Sequence, residues 1–253
     1  MQTANADTEC VWITGASSGI GLELAKIYAR HARYVALSAR SADKLAELAR
    51  AQDALVAHPL DVTDAAAAKD CVDGIVAKAG CPDLAILNAG IWHLMDATEL
   101  DAGKVRQSVE VNYLGVVNAV AALLPHMLQR GYGHVAIVAS VAGYRGLPRA
   151  CAYGPTKAAL INFAETLRCD LAKHGIKISL INPGFVDTPM TRTNPFPMPG
   201  LMEAEDAAVR IYEGLHRSNW EISFPRRLSW SLKTMRILPD AVYFWIMKRV
   251  MAA

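Results

Sequence analysis

A serine, a tyrosine and a lysine stand close together between Val138 and Leu160, at intervals that suit proton transfer. Ser140 precedes Tyr153 by thirteen residues, and Lys157 follows Tyr153 by four. Four residues along a helix bring two side chains to one face, so the lysine ammonium can lie near the phenol. A phenol is a poor base near neutral pH, but a neighbouring cation lowers its pKa. The trio predicts an acid–base group in which Ser140 holds a substrate oxygen while Tyr153 exchanges a proton.

Two further residues bear on this group. Pro155 lies between the tyrosine and the lysine, where the first turn of a helix tolerates proline. Asn112 is a polar residue within the apolar stretch VEVNYLG. Its amide is either a hydrogen-bonded core group or part of a proton relay beneath the lysine.

Short apolar runs alternate with longer segments of helical period, the pattern of βαβ units in a parallel sheet. The sequence predicts strands at 10–14, 33–39, 54–60, 83–88, 134–140 and 177–182. It predicts helices at about 19–30, 41–51, 64–79, 104–130, 153–175 and 204–216, with Ser41 as an N-cap and Gly175 as a C-terminal stop. The predicted fold is a doubly wound α/β sheet in a single domain, residues 1–253.

The glycine-rich segment TGASSGIG, residues 14–21, falls between the first strand and the first helix. Glycines there allow a tight turn and let backbone N–H groups approach a pyrophosphate. The end of the second strand, which faces the adenosine ribose in such folds, reads Ser38-Ala39-Arg40. This segment has no acidic residue to bind a ribose hydroxyl, but its Arg40 guanidinium could bind a 2′-phosphate. Both features favour NADP over NAD. Arg40 could instead be a solvated loop residue.

Two later strand ends extend this nucleotide site. Asp61 follows the third strand, where it could accept a hydrogen bond from the adenine amino group or cap a turn. LNAG, residues 87–90, closes the fourth strand at the edge where ligands bind in such sheets. Asn88 could simply cap a turn, whereas Ala89-Gly90 suits close approach to a nucleotide.

Composition excludes several classes of protein. About half of the 253 residues are apolar, which argues against disorder, and a net charge of +2 gives no reason to expect nucleic acid. The five scattered cysteines form no metal-ligand pattern and suit reduced thiols in the cytoplasm. The N-terminus lacks an apolar signal segment, and no run of about 18 apolar residues occurs, so a soluble protein is expected.

With these residues in place, the chain resembles the classical short-chain dehydrogenase/reductase family, in its NADP-preferring branch. The likeness covers about residues 11–188. Its parts in order are TGASSGIG, Asp61, LNAG, Asn112, Ser140, the Y-x-x-x-K pair Tyr153 and Lys157, and PGFVDT at 183–188. No single part is specific, but their joint order and spacing are.

The resemblance implies a three-layer Rossmann-type fold with about seven strands, the seventh at 221–224. It also implies NAD(P)-dependent interconversion of an alcohol and a ketone or aldehyde. Tyr153 would be the acid/base, Lys157 would lower its pKa and bind ribose, Ser140 would hold the substrate oxygen, and Asn112 would relay protons. The implied cofactor-binding residues are Gly15, Ser17, Ser18, Gly19, Ile20, Gly21, Arg40, Asp61, Val62, Asn88, Ala89, Gly90, Tyr153, Lys157, Pro183, Gly184, Val186 and Thr188; no metal is implied.

Substrate choice is expected to depend on two segments. GYRGLP, residues 143–148, would supply Tyr144 and Leu147 as one wall. Residues 189–203 would form a lid carrying Phe196 and Met198, unless these apolar residues only pack the loop. A bulky hydrophobic carbonyl compound fits these residues better than a sugar. Because enzymes that use NADP usually run toward reduction in cells, the sequence predicts a carbonyl reductase.

The C-terminal tail, residues 220–253, is rich in aromatic residues and cations. From residue 216 onward there are seven basic and two acidic residues, a net charge of +5. This mixture suits an interfacial helix on anionic lipid, but also a subunit contact or a cover over the substrate. The family likeness suggests a homodimer or homotetramer. Two rival interpretations are an NADP-binding sensor or scaffold without turnover, and a membrane-docked reductase of lipid ketones of the ketosphingoid type.

Overall fold

The computed structural model describes residues 10–252, which form a parallel sheet with helices on both faces. The N-terminal segment 1–9, for which the sequence predicts no secretory signal, lies outside the described residues, as does Ala253. The strands are β1 (Cys10–Thr14), β2 (Tyr34–Ser38), β3 (Leu55–Ala57), β4 (Leu84–Leu87), β5 (Gly133–Val138), β6 (Ile176–Pro183), β7 (Val186–Asp187), β8 (Met202–Glu203) and β9 (Glu221–Phe224). The helices are α1 (Gly19–Tyr28), α2 (Ala42–Ala51), α3 (Ala65–Ala79), α4 (Ala102–Val109), α5 (Gly115–Arg130), α6 (Gly154–Leu171), α7 (Ala204–His216), α8 (Arg226–Ile237) and α9 (Asp240–Ala252).

Seven strands pair in parallel in the order β3-β2-β1-β4-β5-β6-β9. The order reverses at β1, which has β2 on one side and β4 on the other. Such a reversal opens a crevice at the carboxyl ends of the strands. The predicted doubly wound fold is confirmed, and Glu221–Phe224 is its seventh strand, paired with Leu180–Pro183. β7 and β8 form a separate short pair.

Side chains alternate across the sheet and divide the core into two layers. On β1, Cys10 and Trp12 pack in the layer that contains residues of α3, α5 and α6. Val11 and Ile13 point the other way and pack with residues of α1, α2 and α7. The molecule therefore has the three α/β/α layers that the sequence predicts.

The long helix predicted at 104–130 begins slightly earlier and has an irregular centre. It starts at Ala102 because the Asp101 side chain caps it, accepting from the backbone N–H groups of Gly103 and Lys104. A π-helical stretch, Glu110–Leu114, joins α4 to α5. By length and composition, 102–130 is the described helix that could cross a membrane, but the buried residues of α5 account for its apolar character in the core.

Other differences from the predicted elements are small. β3 ends at Ala57 rather than at residue 60, although His58 and Leu60 still donate hydrogen bonds to backbone carbonyls beside β2. Ser41 occupies the N-cap position of α2 but makes no capping hydrogen bond through its side chain. Pro155 lies in the first turn of α6, as predicted. Gly175, with φ of 72°, ends the turn that follows α6.

Candidate active site

A cavity of about 310 Å³ lies at the point where the strand order reverses. The glycine turn and the Ser–Tyr–Lys trio line the same cavity. From the residues singled out by the sequence, its walls contain Gly15, Ser17, Ser18, Gly19, Ile20, Arg40, Asp61, Val62, Asn88, Ala89, Gly90, Ser140, Tyr153, Lys157, Pro183, Gly184, Val186 and Thr188.

The glycine turn is fixed to the end of β4 by a polar cluster. The Thr14 hydroxyl accepts from the backbone N–H groups of Asn88 and Ala89, at 3.0 and 3.1 Å. The Asn88 amide donates to the carbonyls of Thr14 and Gly15. Gly21 is outside the cavity lining, unlike the prediction. A Cβ there would lie 2.3 Å from the Gly15 carbonyl oxygen, so Gly21 permits close packing of α1 on the turn.

Two charged residues, Arg40 and Asp61, also line the cavity. Arg40 is exposed on its wall, beside Asp61. Hydrogen bonds from the backbone and side chain of Thr63 to the Asp61 carboxylate hold its pKa below the usual value, with a smaller contribution from Arg40. Asp61 therefore forms a turn and also faces the cavity. Ser38 faces inward, where its hydroxyl accepts from the Trp12 indole at 2.9 Å.

The trio converges from two elements. Ser140 follows β5, while Tyr153 immediately precedes α6, which carries Lys157. The turn after Ser140 packs tightly on α6, since a Cβ at Gly143 would lie 2.6 Å from the Lys157 carbonyl carbon. The Lys157 ammonium donates to the Val138 carbonyl at 2.9 Å and lies 5.4 Å from the centre of the Tyr153 ring. These contacts bring the three predicted side chains together.

Burial controls the protonation of this group. It raises the pKa of Tyr153 to about 12, against the opposing effect of a hydrogen bond with Ser140. It lowers the pKa of Lys157 to about 7. The sequence predicts that Lys157 lowers the pKa of the phenol; here the opposing influence comes from Ser140, and Tyr153 is a neutral phenol at neutral pH.

Asn112 is completely buried in the π-helical stretch, beyond the cavity lining. Its side-chain oxygen accepts from the Ile91 N–H at 2.7 Å, and its nitrogen donates to the Ile91 carbonyl at 3.0 Å and to the Thr156 hydroxyl at 3.1 Å. The amide thus joins the segment after β4 to the start of α6. Both its oxygen and the Lys157 ammonium lie next to Gly90.

Trp92 is a neighbour of Tyr153 that the sequence did not reveal. Its ring meets the Tyr153 ring edge to face, with centroids 4.9 Å apart. Its indole N–H donates to the Asn194 side chain at 2.9 Å. A lone tryptophan after LNAG carries no signal of this contact, because its hydrogen-bond partner is 102 residues away. Further cavity-lining residues without a sequence signal are Ser41, Ile91, Val111, Met190 and Thr191.

The segment 143–148 contacts the C-terminal helices. The buried Tyr144 hydroxyl donates to Glu221, and Tyr243 donates to the Gly146 carbonyl. The Arg145 guanidinium donates to the carbonyls of residues 235 and 238 and to the carboxylate of residue 240. Within the described chain, neither Tyr144 nor Leu147 lines the cavity, so this placement does not favour their predicted role as a substrate wall.

The predicted lid, 189–203, meets the cavity at its N-terminal end. Its first residues, Pro189, Met190 and Thr191, line the wall. Phe196 instead packs against Phe185, with ring centroids 6.0 Å apart, and the Met198 sulfur lies 3.6 Å from the Asn194 amide nitrogen. In the described part of the chain, Phe196 and Met198 are thus among the residues that pack the loop rather than line the cavity.

The glycine turn lies at the carboxyl end of β1 and shares one cavity with the Ser–Tyr–Lys group. This arrangement defines a nucleotide-binding α/β protein equipped for proton transfer. The sequence pattern of the family described as short chain dehydrogenase matches residues 9–196. A protein of Myxococcus xanthus named an uncharacterized oxidoreductase is 39% identical over 235 residues, covering 91% of this chain and 93% of that protein.

Solved structures agree with this match. A short-chain dehydrogenase from Streptomyces avermitilis superposes with a TM-score of 0.82 at 25% identity, covering 97% of each chain. A short chain dehydrogenase/reductase from Burkholderia phymatum, in complex with NAD, gives a TM-score of 0.82 at 24% identity over 90% of this chain and 92% of that one. This second likeness bears on the fold alone.

The chain belongs to the short-chain dehydrogenase/reductase family. It is an NAD(P)-dependent oxidoreductase with a Rossmann-type fold, and it acts on a small-molecule substrate.

Proposed function

We propose that this protein is an NADP(H)-dependent carbonyl reductase that acts on an apolar ketone or aldehyde. The observation that carries the proposal is the shared cavity, in which Ser140, Tyr153 and Lys157 face the same space as the glycine turn. A protein that only bound the nucleotide would need the turn but not a half-buried phenol beside a buried ammonium.

The residues present fit a nicotinamide dinucleotide. α1 begins at Gly19 on the cavity wall, so its N-terminal backbone N–H groups suit a pyrophosphate. Gly15, with φ of 68°, gives the turn a shape that few other residues adopt. Asp61 and Val62 would contact the adenine, and Asn88 to Gly90 would contact the ribose. Pro183, Gly184, Val186 and Thr188 would flank the nicotinamide, with the Val186 N–H toward its carboxamide.

The chain's own residues would handle the proton. Bound NADPH supplies the hydride that reaches the carbonyl carbon. Ser140 would hold the carbonyl oxygen by a hydrogen bond, and Tyr153 would donate its phenolic proton to that oxygen. Because burial raises the pKa of Tyr153 to about 12, the phenol carries this proton at neutral pH, which suits reduction. Lys157 would bind the ribose and supply positive charge, while Asn112 would fix the start of α6 and relay protons.

Trp92 and the apolar lining suggest the substrate class. Ile91, Val111 and Met190 line the cavity, and the Trp92 ring meets the Tyr153 ring edge to face. A hydrophobic carbonyl compound would lose little hydrogen bonding on entering such a space, whereas a sugar would lose several bonds. We also propose that the chain forms one domain, acts in the cytoplasm and assembles as a homodimer or homotetramer.

Turnover separates the reductase from a nucleotide-binding sensor or scaffold. A screen of hydrophobic ketones and aldehydes, followed by NADPH absorbance, should reveal activity that Tyr153→Phe lowers by about 10²–10⁴-fold. Tyr132→Phe changes an exposed tyrosine in the same way and should leave the rate unchanged. If the protein binds NADPH but no carbonyl compound oxidises the bound NADPH, the reductase hypothesis is refuted. The sensor or scaffold hypothesis then remains.

Arg40 carries the preference for NADP. Its guanidinium lines the cavity where the 2′-phosphate of the adenosine would lie, and Ser17 is the nearby hydroxyl, since Ser18 replaces the basic residue that some relatives carry. Arg40→Ala should weaken NADPH binding by about tenfold or more and leave NADH binding nearly unchanged. Calorimetric titration with both nucleotides tests this; equal losses for the two would contradict the preference.

A further inference from the structure

The last two helices expose an unusual set of large apolar side chains. On α8, Trp230 is 67% exposed and Ile237 is 85% exposed. On α9, Phe244 is 64% exposed and Trp245 is 54% exposed. Trp230 and Ile237 are seven residues apart, which places them on one face of α8. We call the exposed faces of α8 and α9 that carry these four side chains the apolar surface; so many large exposed side chains on two short helices need an explanation.

Exposed cations lie one helical turn from these apolar side chains on both helices. Arg226 and Arg227 precede Trp230 by one helical turn, and Lys248 and Arg249 follow Phe244 and Trp245 by one turn. All four are exposed. The Arg249 guanidinium also stacks on the Trp245 ring, 3.8 Å from its centroid. Within the described residues, the ion pairs of this region join Lys233 to Glu221 and Arg145 to Asp240, so these four cations have no carboxylate partner.

The surface is held firmly against the body of the protein. Leu232 and Ser229 of α8 are buried, and Tyr243 of α9 is buried beneath the Arg145 guanidinium. A Cβ at Gly184, on the cavity wall, would lie 3.0 Å from a methyl group of Leu228, so α8 packs directly behind that wall. The exposed apolar residues therefore lie on the outer faces of two helices that pack against the body of the protein.

We propose that α8 and α9 dock the protein on an anionic lipid surface. Tryptophan and phenylalanine beside Lys and Arg are the composition that inserts into the headgroup region and is attracted to negative lipid. A second copy of the chain fits less well, because pairing the same surfaces would bring their unpaired cations together.

Vesicle binding by the full chain tests the proposal without reference to catalysis. The protein should co-sediment with vesicles of phosphatidylcholine containing phosphatidylserine, bind much less to phosphatidylcholine alone, and release at high salt. Arg226→Gln/Arg227→Gln and Lys248→Gln/Arg249→Gln should each weaken binding by more than about tenfold. Lys44→Gln/Arg50→Gln removes two exposed cations from α2 and should bind like the wild type.

The apolar contribution needs its own variants. Trp230→Ala/Trp245→Ala should also abolish co-sedimentation, whereas Leu100→Ala, at a residue 64% exposed elsewhere, should not. Unchanged thermal unfolding would establish that each variant is folded. The proposal is overturned if the wild type does not bind phosphatidylserine vesicles, or if the cation variants bind as well as Lys44→Gln/Arg50→Gln. It is equally overturned if the variants only dissociate an oligomer, or if the surface binds polyglutamate but no vesicle.

Discussion

The hydroxyl and the ring of Tyr153 have different neighbours. Its hydroxyl bonds with Ser140, while the ring meets Trp92 edge to face with centroids 4.9 Å apart. Trp92 also holds Asn194 of the 189–203 segment through a hydrogen bond of 2.9 Å. The residue proposed to donate the proton and the segment expected to cover the substrate are therefore linked through a single indole.

The link through Trp92 can be broken in two steps. Trp92→Phe keeps a ring against Tyr153 but removes the indole N–H, so it should raise KM about fivefold with little change in kcat. Trp92→Ala removes both contacts and should lower kcat as well. Steady-state kinetics of Trp92→Phe, Asn194→Ala and the double variant provide the check: the double variant should be no worse than either single one. Additive losses would mean that the bond does not couple the two residues.

The central strands carry a half-buried histidine, away from the cavity. His134 on β5 bonds with the Ser179 hydroxyl of β6 at 2.9 Å, and that hydroxyl donates to the Asn219 carbonyl at 2.7 Å. Since Ser179 uses its proton on Asn219, His134 donates from Nε2. Burial, aided by Lys177, lowers the pKa of His134 to about 4. The element that positions Ser140 thus depends on a histidine that must remain uncharged.

This histidine gives the fold a specific sensitivity to acid. The unfolded chain binds a proton at His134 near pH 6.5, whereas the folded chain does so only near pH 4, so stability is lost as pH falls between these values. Between pH 7 and pH 5 the loss should be on the order of 1–2 kcal/mol, because the ring is only partly buried. Urea unfolding at both pH values should show a smaller loss for His134→Gln than for the wild type. An exposed control, His174→Gln, should behave like the wild type; equal losses in all three proteins would exclude this origin.

Elements and motifs that depend on neighbours in sequence were predictable. The strand positions, the glycine turn and the approach of Tyr153 to Lys157 follow from local sequence patterns, whereas the strand order depends on pairings between residues far apart in the chain. The π-helical stretch that turns Asn112 toward Ile91 was not, because its apolar pattern is the same as that of a regular helix. The contacts of Arg145 were not predictable either, because its partners lie 90 to 95 residues further along the chain.

At the scale of the whole molecule, the segment 143–148 connects the end of β5 to the C-terminal helices. Glu221 accepts hydrogen bonds from Tyr144, Asn182 and Lys233, which joins this segment, β6 and α8. The segment begins three residues after Ser140, so the fold places the proposed lipid-binding helices and the proposed active site on opposite ends of one short connection.

Arg145 is the residue that holds α9 in this arrangement. It binds the carbonyls of Met235 and Leu238, at the C-terminal end of α8 where helix carbonyls lack partners, and its guanidinium stacks on the Tyr243 ring at 3.9 Å. Its ion pair with the exposed Asp240 should matter less, because solvent screens it. Loss of the guanidinium is therefore expected to release α9 while the sheet stays folded.

Amide hydrogen exchange measures that release directly. Arg145→Ala should speed exchange in residues 240–249 by about tenfold to a hundredfold, the effect of losing hydrogen bonds to a charged donor, with no change in β1 or β4. Arg145→Lys keeps the charge but not the paired carbonyl contacts. Its exchange rate in residues 240–249 should lie between those of the wild type and Arg145→Ala. Arg106→Ala, at an exposed arginine of α4, serves as the control and should leave exchange in α9 unchanged. Faster exchange throughout the sheet, or none in α9, would show that α9 is held by its other contacts rather than by Arg145.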